Sequence, residues 1–159
     1  MIFNLVHFSL YSTQTMFPGF NYEVVKQDFK KKRFDFHIWD LAGAKQLRSL
    51  WQYFYTNMTV DVLLYVVNAN ERARFKEARI ELQRIIHEEE FRDALKLVVL
   101  NVHRPEDSSR VGASEARKIL GVANLSYFQP AIKVIEINAY TGKGFDTIKK
   151  QICRYYSAH

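Results

Sequence analysis

A chain of 159 residues, 48% of them hydrophobic and 14% aromatic, has enough apolar side chains for one core, so we expect a single folded domain over residues 1–159. No apolar run approaches the ~18 residues of a membrane-spanning helix, and residues 1–10 lack the basic flank of a signal peptide, so we expect a soluble, intracellular protein, either cytoplasmic or in an organelle-associated assembly. The single cysteine, Cys153, excludes internal disulfides and thiolate metal clusters. The net charge of +6 suits an acidic protein surface, a nucleic-acid backbone or an anionic membrane without selecting among them.

The first predicted elements form a β-hairpin. Apolar residues alternate over residues 24–29 and 34–39, and the basic run KKKR at residues 30–33 lies between these two segments. The run is either a turn kept soluble by its charge or a contact with phosphates or a membrane.

Strand-like and helix-like segments alternate in the rest of the chain. Short apolar runs at residues 62–67, 97–100 and 133–138 predict parallel strands that are buried on both faces. The spacing of Phe75, Ala78, Leu82 and Ile85 predicts an amphipathic helix over residues 75–89. Shorter helices are predicted over 114–120, capped by Ser114, and over 145–156, with Cys153 in the core.

Asp40 ends the second strand of the hairpin, and Gly43 follows it in the sequence WDLAG. In open α/β sheets, ligands bind beyond the carboxyl ends of the strands, which is where this acidic residue lies. The short motif alone is a weak indication of a nucleotide site, so the interpretation depends on the motifs around it.

The surrounding motifs resemble the ADP-ribosylation factor (Arf) and Arf-like small GTPases. GFNYEVV, WDLAGAKQLRSLWQYF, VVNANERARFKEARIELQRI, EFRDALKLVVLN and NAYTGKGFDTI follow the order and spacing of that family over about residues 16–155. The resemblance implies an α/β fold, a P-loop-GTPase-like mainly parallel sheet with an antiparallel interswitch hairpin and flanking helices. It also implies that Asp40, Gly43, Asn101 and Ala139 derive from a nucleotide site, in which the Asp reaches Mg²⁺ and the Gly amide reaches the terminal phosphate.

The departures from the family pattern concern the nucleotide. The loop G-x-x-x-x-G-K-[ST], whose amides and Lys cradle phosphates, occurs nowhere in the sequence. Phe17 stands at the switch I Thr, Ala44 at the water-positioning Gln, and Arg104 at the Asp that reads guanine. The N–H donors of an arginine opposite the N–H donors of guanine should weaken binding of guanine by ~10⁴-fold. Asp40, Gly43, Asn101 and Ala139 are therefore interpreted as vestigial, with Gly43 and Ala139 kept for turn geometry.

The family register places Met1 just after the phosphate loop, so we expect the first strand and the phosphate loop to be missing. The first strand is central in this fold, and an empty slot would leave backbone groups unpaired on two neighbouring strands. Residues 1–8 are expected to be a remnant of the first helix, a strand that enters the slot, or a segment beside a strand donated by a partner chain. An alternative is that the sequence starts at an internal methionine.

Three aromatic residues match the surface that Arf-family effectors contact. The resemblance assigns Phe20, Trp39 and Phe54 to this surface, and aromatic side chains are favoured interface anchors. The alternative is that the three rings pack beneath the switch segments as part of the core.

These observations predict an Arf-like pseudo-GTPase that hydrolyses little or no GTP and acts as an interaction or structural module within a multi-subunit assembly. No catalytic constellation is found, His103 has no ligand spacing, and we expect neither metal nor cofactor. The alternative is a GTP-binding trafficking switch whose phosphate loop is missing from this sequence, and only that alternative implies GTP or GDP with Mg²⁺. Nucleic acid is not favoured, since no recognised motif is present. Ile2 follows Met1, which excludes myristoylation as written, so membrane association is expected only indirectly.

Overall fold

Six strands form one sheet in the computed structural model, which describes the backbone of residues 2–9 together with residues 20–29, 31–123, 125 and 131–158. The strands are β1 (Ile2–Ser9), β2 (Phe20–Phe29), β3 (Lys32–Ala42), β4 (Val62–Asn68), β5 (Leu95–Asn101) and β6 (Lys133–Ile137). Their order across the sheet is β2-β3-β1-β4-β5-β6. β2 runs antiparallel to β3, and every other neighbouring pair is parallel. The predicted hairpin and the three predicted parallel strands are confirmed.

Four α-helices flank the sheet in the described part of the chain. They are α1 (Trp51–Tyr55), which follows a 3-10 helix at Lys45–Leu50, α2 (Phe75–Ile86), α3 (Ala113–Ile119) and α4 (Phe145–Ala158). The three predicted helices are confirmed, but the predicted cap of α3 is wrong. Gly112 is the N-cap residue, and Ser114 lies inside the first turn. None of the described helices has an apolar stretch that is long enough to cross a membrane.

The two faces of the sheet form separate parts of the core. On one face, the predicted stripe of α2, Phe75, Ala78, Leu82 and Ile85, is buried against Leu100 and its neighbours. On the other face, α4 packs its Ile148, Ile152 and Cys153 against alternate residues of β5. Cys153 is fully buried, as predicted, and burial raises the pKa of its thiol. The even and odd residues of β5 thus enter different clusters, as a strand covered on both faces requires.

The basic hairpin tip is solvent-exposed at Lys31, Lys32 and Arg33, and Lys30 lies outside the described residues. Phe29 pairs with Lys32 across the hairpin, and Lys31 adopts a left-handed φ of 65°. Arg33 pairs with Asp28 at 3.6 Å. Solvation of the tip is confirmed, and contact with a phosphate or membrane stays a prediction.

β1 occupies the central slot of the sheet. Its register pairs Ile2 with Asp35 of β3 and Leu5 with Val62 of β4. The expectation that the first strand is missing is therefore wrong, and so is the expected helix for residues 1–8, whereas the alternative of a strand that enters the slot is confirmed. The physical reason is that an open slot leaves buried backbone groups unpaired, at a cost of ~1–3 kcal/mol each. Residues 10–19, which include Phe17, lie outside the described residues, so the missing phosphate loop stays a prediction.

Candidate functional site

The four residues assigned to the nucleotide site lie at one edge of the sheet. Asp40 lies within β3, two residues before its end at Ala42, so the prediction that the strand ends at Asp40 is wrong by two residues. Gly43 follows β3, Asn101 ends β5 and Ala139 follows β6. These strands are parallel, so their carboxyl ends share one edge. β1 and β4 separate β3 from β5, a distance of ~14 Å at the usual strand spacing. The structure brings Asn101 and Ala139 together, and leaves Asp40 and Gly43 at a separate part of the same edge.

Asn101 and Asn138 connect the two loops that follow β5 and β6. The Asn101 Oδ1 accepts the backbone N–H of Ala139 at 3.0 Å. Asn138 is buried, and its Nδ2 donates to the Val102 carbonyl at 2.8 Å. Its Oδ1 accepts the backbone N–H groups of Tyr140 and Thr141 at 3.0 and 2.9 Å. These side chains are used in holding the loops to one another.

The loop that carries Arg104 is fixed by a carboxamide and a carboxylate. Asn70 donates from Nδ2 to the Arg104 carbonyl at 2.9 Å, and its Oδ1 accepts the Arg104 N–H at 3.1 Å. The exposed Arg104 guanidinium lies 3.8 Å from the Asp107 carboxylate. Hydrogen bonds from Ser109 and then from Asn70 lower the pKa of that carboxyl. A cation paired within its own loop therefore stands where the family pattern has a guanine-binding acid.

Phe20 contacts both Trp39 and Phe54, and these three residues form, with Tyr22, what we call the aromatic cluster. Ring centroids are 5.7 Å apart for Phe20 and Trp39, 4.8 Å for Phe20 and Phe54, and 4.6 Å for Tyr22 and Trp39. Phe20 and Tyr22 are 45% and 44% exposed, whereas Trp39 and Phe54 are half-buried. The cluster therefore presents two rings to solvent above two rings that anchor them.

The edge strand β2 positions the exposed half of the cluster. Residues two apart share a face of a strand, and Tyr22 pairs directly with Trp39 across the hairpin. The Tyr22 hydroxyl lies 2.6 Å from the His37 Nδ1, which fixes the outer ring. Tyr22 was not predicted from the sequence, because the hairpin was expected to begin only at Val24. The alternation in the sequence FNYEV carries the signal that would have identified it.

Arg48 is a second residue that sequence reasoning missed. It is only 5% exposed, and its Nε donates to the carbonyl of Gly43 at 2.9 Å. Its Nη2 lies 2.7 Å from the Glu77 carboxylate, and its Nη1 lies 3.4 Å from Glu81. The hydrogen bond from Arg48 lowers the pKa of Glu77. A buried cation thus connects the turn after β3 to helix α2.

Comparison with known protein families agrees with the fold. A sequence model of the ADP-ribosylation factor family matches residues 4–156, nearly the whole chain. The matched region includes the antiparallel hairpin, the parallel strands and the loops after β5 and β6. The chain belongs to the ADP-ribosylation factor family.

Proposed function

We propose that this chain is an Arf-like pseudo-GTPase, a member of the family that works as a protein-interaction or structural module in a larger intracellular assembly. The observation that carries the proposal is the aromatic cluster. Exposed aromatic rings supported from below bury a large area on binding and lose little rotamer entropy, which makes them favoured anchors for a protein partner.

The chain between β1 and β2 supports a loss of phosphate binding. Ten residues, LYSTQTMFPG, connect Ser9 to Phe20, and they contain one glycine and no lysine. A phosphate loop of about eight residues followed by a helix of about eleven does not fit into this length. An anion at this edge would lack the amide cradle and the lysine that make such sites bind.

The residues at the positions that would contact the guanine base and the attacking water support the same proposal. Arg104 stands where the family pattern has an acceptor for the N–H donors of guanine, and an arginine supplies only donors, which leaves polar groups unpaired at a strong penalty on binding. Ala44 cannot orient a water molecule, because its side chain has no hydrogen-bonding group. Asn101 and Ala139 are bonded to each other and keep the loops closed. Their retention is therefore explained by loop structure.

The alternative is a GTP-binding switch whose phosphate loop lies outside this sequence. A further first strand would have to enter the sheet between β3 and β4, and β1 already pairs with both of them. This argues against the alternative, and nucleotide titration distinguishes the two functions.

The deciding experiment is calorimetry of the purified chain with GTP and with GDP, each with Mg²⁺. We expect dissociation constants no tighter than ~10⁻⁴ M, because the anion cradle is missing. The variant Arg104→Asp restores the acceptor for guanine, and we expect no gain in affinity from it while phosphate binding is absent. Micromolar binding by the unmodified chain, or nucleotide released when it is denatured, would overturn the proposal.

The interaction surface has its own test, which compares a half-buried position of the aromatic cluster with an exposed aromatic position outside it. Trp39→Ala should weaken the complex with a native partner by ~2 kcal/mol or more. Tyr140→Ala is the control, since Tyr140 is 89% exposed and follows β6. β6 is the outermost strand on the opposite side of the sheet from β2. Equal co-purification of both folded variants with the partner would assign Trp39 to the core alone.

A further inference from the structure

The segment after β3 contains one residue of the nucleotide edge and one residue of the aromatic cluster. Residues 43–55, here called the latch segment, begin at Gly43 of the nucleotide edge and include Phe54 of the aromatic cluster. The 3-10 helix lies between these two residues, and Phe54 belongs to α1. Any movement of the latch segment would therefore also move Phe54 relative to Phe20.

Arg48 attaches the middle of the latch segment to groups on both sides of it. One guanidinium nitrogen donates to the Gly43 carbonyl, and the other two lie at 2.7 and 3.4 Å from Glu77 and Glu81. Both carboxylates belong to α2, whose apolar face is part of the core. A charge that is 95% shielded from water is held only where its partners stay in place, so release of Arg48 would expose or orphan three polar groups.

Trp51 provides a second attachment, at the start of α1. Its ring is buried in the core, and its Nε1–H donates to the Ala42 carbonyl at 2.9 Å. Ala42 is the last residue of β3, so this bond fixes the distance between the strand end and the helix that carries Phe54. The latch segment is thus bonded at both its first turn and its last helix.

We propose that Arg48 is a positioning residue that holds the latch segment in one conformation through protein groups alone, so that the aromatic cluster stays assembled whether or not a nucleotide is present. This inference rests on the proposed interaction function and adds its regulation, namely that the surface is permanently presented. Preorganisation of this kind raises affinity, because the ordering of the segment is complete before the partner binds.

Hydrogen exchange of the full chain tests the latch. In nucleotide-free protein we expect slow amide exchange over residues 44–55, unchanged by millimolar GTP with Mg²⁺. Arg48→Met should speed exchange there by at least ~10-fold while β4 and β5 keep their protection, because only the local opening equilibrium changes. The double variant Glu77→Gln with Glu81→Gln keeps the arginine, removes the charge of its partners and should show the same pattern.

Arg72→Met is the matched control, because it breaks an exposed pair in which Arg72 reaches both carboxylate oxygens of Glu115. Exchange over residues 44–55 should not change in this variant. Unchanged exchange in the Arg48 and glutamate variants, or an equal rise across β4 and β5, would overturn the positioning role.

The unmodified chain separates the two proposals even if a variant fails to fold. Fast exchange over residues 44–55 that slows only on addition of GTP would overturn the latch. Tight GTP binding with the segment already protected would overturn the pseudo-GTPase proposal and leave the latch intact. The chain has two tryptophans, so the indole N–H signals of Trp39 and Trp51 report the same changes by NMR.

Discussion

Because Lys96 is buried, we expect the stability of the domain to change with pH in the alkaline range. The residue is 1% exposed in β5, and its Nζ donates to the carbonyls of Arg92 and Ala94, both at 3.0 Å. Burial lowers the pKa of this ammonium from 10.5 to about 8. The unfolded chain therefore holds this proton more tightly than the folded chain, and the charged group destabilises the fold.

The sign of the effect follows from this difference in pKa. Below about pH 8 the ammonium is charged in both states, and the full penalty of burial is present. As the pH rises through the folded pKa, the buried group loses its proton and the penalty decreases until the unfolded pKa is reached. Between about pH 7 and about pH 9.5, the Lys96 contribution to the free energy of unfolding should become more favourable by about 2 kcal/mol.

Urea unfolding of the wild type and of Lys96→Met at a series of pH values measures this contribution. Buried Tyr55 and Cys153 also have raised pKa values, so they lower stability at alkaline pH, but their effect is common to both proteins and cancels in the difference. Lys118→Met, at an exposed position of α3, is the control and should run parallel to the wild type. Parallel curves for Lys96→Met and the wild type would refute the reasoning.

Two further predictions concern the loops at the nucleotide edge. Gly144→Ala should destabilise the fold by at least about 3 kcal/mol, because its φ is +92° and a Cβ would lie 2.5 Å from the Glu136 carbonyl oxygen. Gly142→Ala should destabilise it by only about 1 kcal/mol, because its φ is +78° and a Cβ there would have no atom within 4 Å. Equal losses in thermal unfolding would show that the contact with Glu136 is unimportant. Asn138→Ala should lower the free energy of urea unfolding by about 3 kcal/mol, since it leaves one carbonyl and two N–H groups without their partner, and Asn101→Ala by about 1 kcal/mol. The reverse ranking would contradict the role given to Asn138.

Periodicity was sufficient to predict most of the sheet. The hairpin, the strands β4, β5 and β6 and the stripe on α2 all follow from apolar spacing, because each element buries its side chains in a regular pattern. β1 was misjudged because the family register placed residues 1–8 beyond the phosphate loop, in the first helix. The β-forming sequence IFNLVHFS and the unpaired edges of β3 and β4 were the stronger indications.

The candidate site could be predicted only where a residue departs from or matches a family motif. Arg104, Ala44 and the aromatic residues are visible in that way. Arg48 is not, because an arginine in a polar segment is usually exposed, and its burial depends on carboxylates that lie about thirty residues later in the sequence. An ion pair between residues so far apart in the chain leaves no periodic pattern in the sequence.

The central position of β1 determines the order in which the domain is able to fold during synthesis. β3 and β4 are both bonded to β1 and are not neighbours of each other, so β1 alone joins the two halves of the sheet. It leaves the ribosome before β3 and β4, so it has no complete set of partners until β4, which ends at Asn68, has been made. Until then the exposed apolar strand is a target for chaperones and for aggregation, and closure of the sheet through these distant contacts is expected to be the slow step of folding.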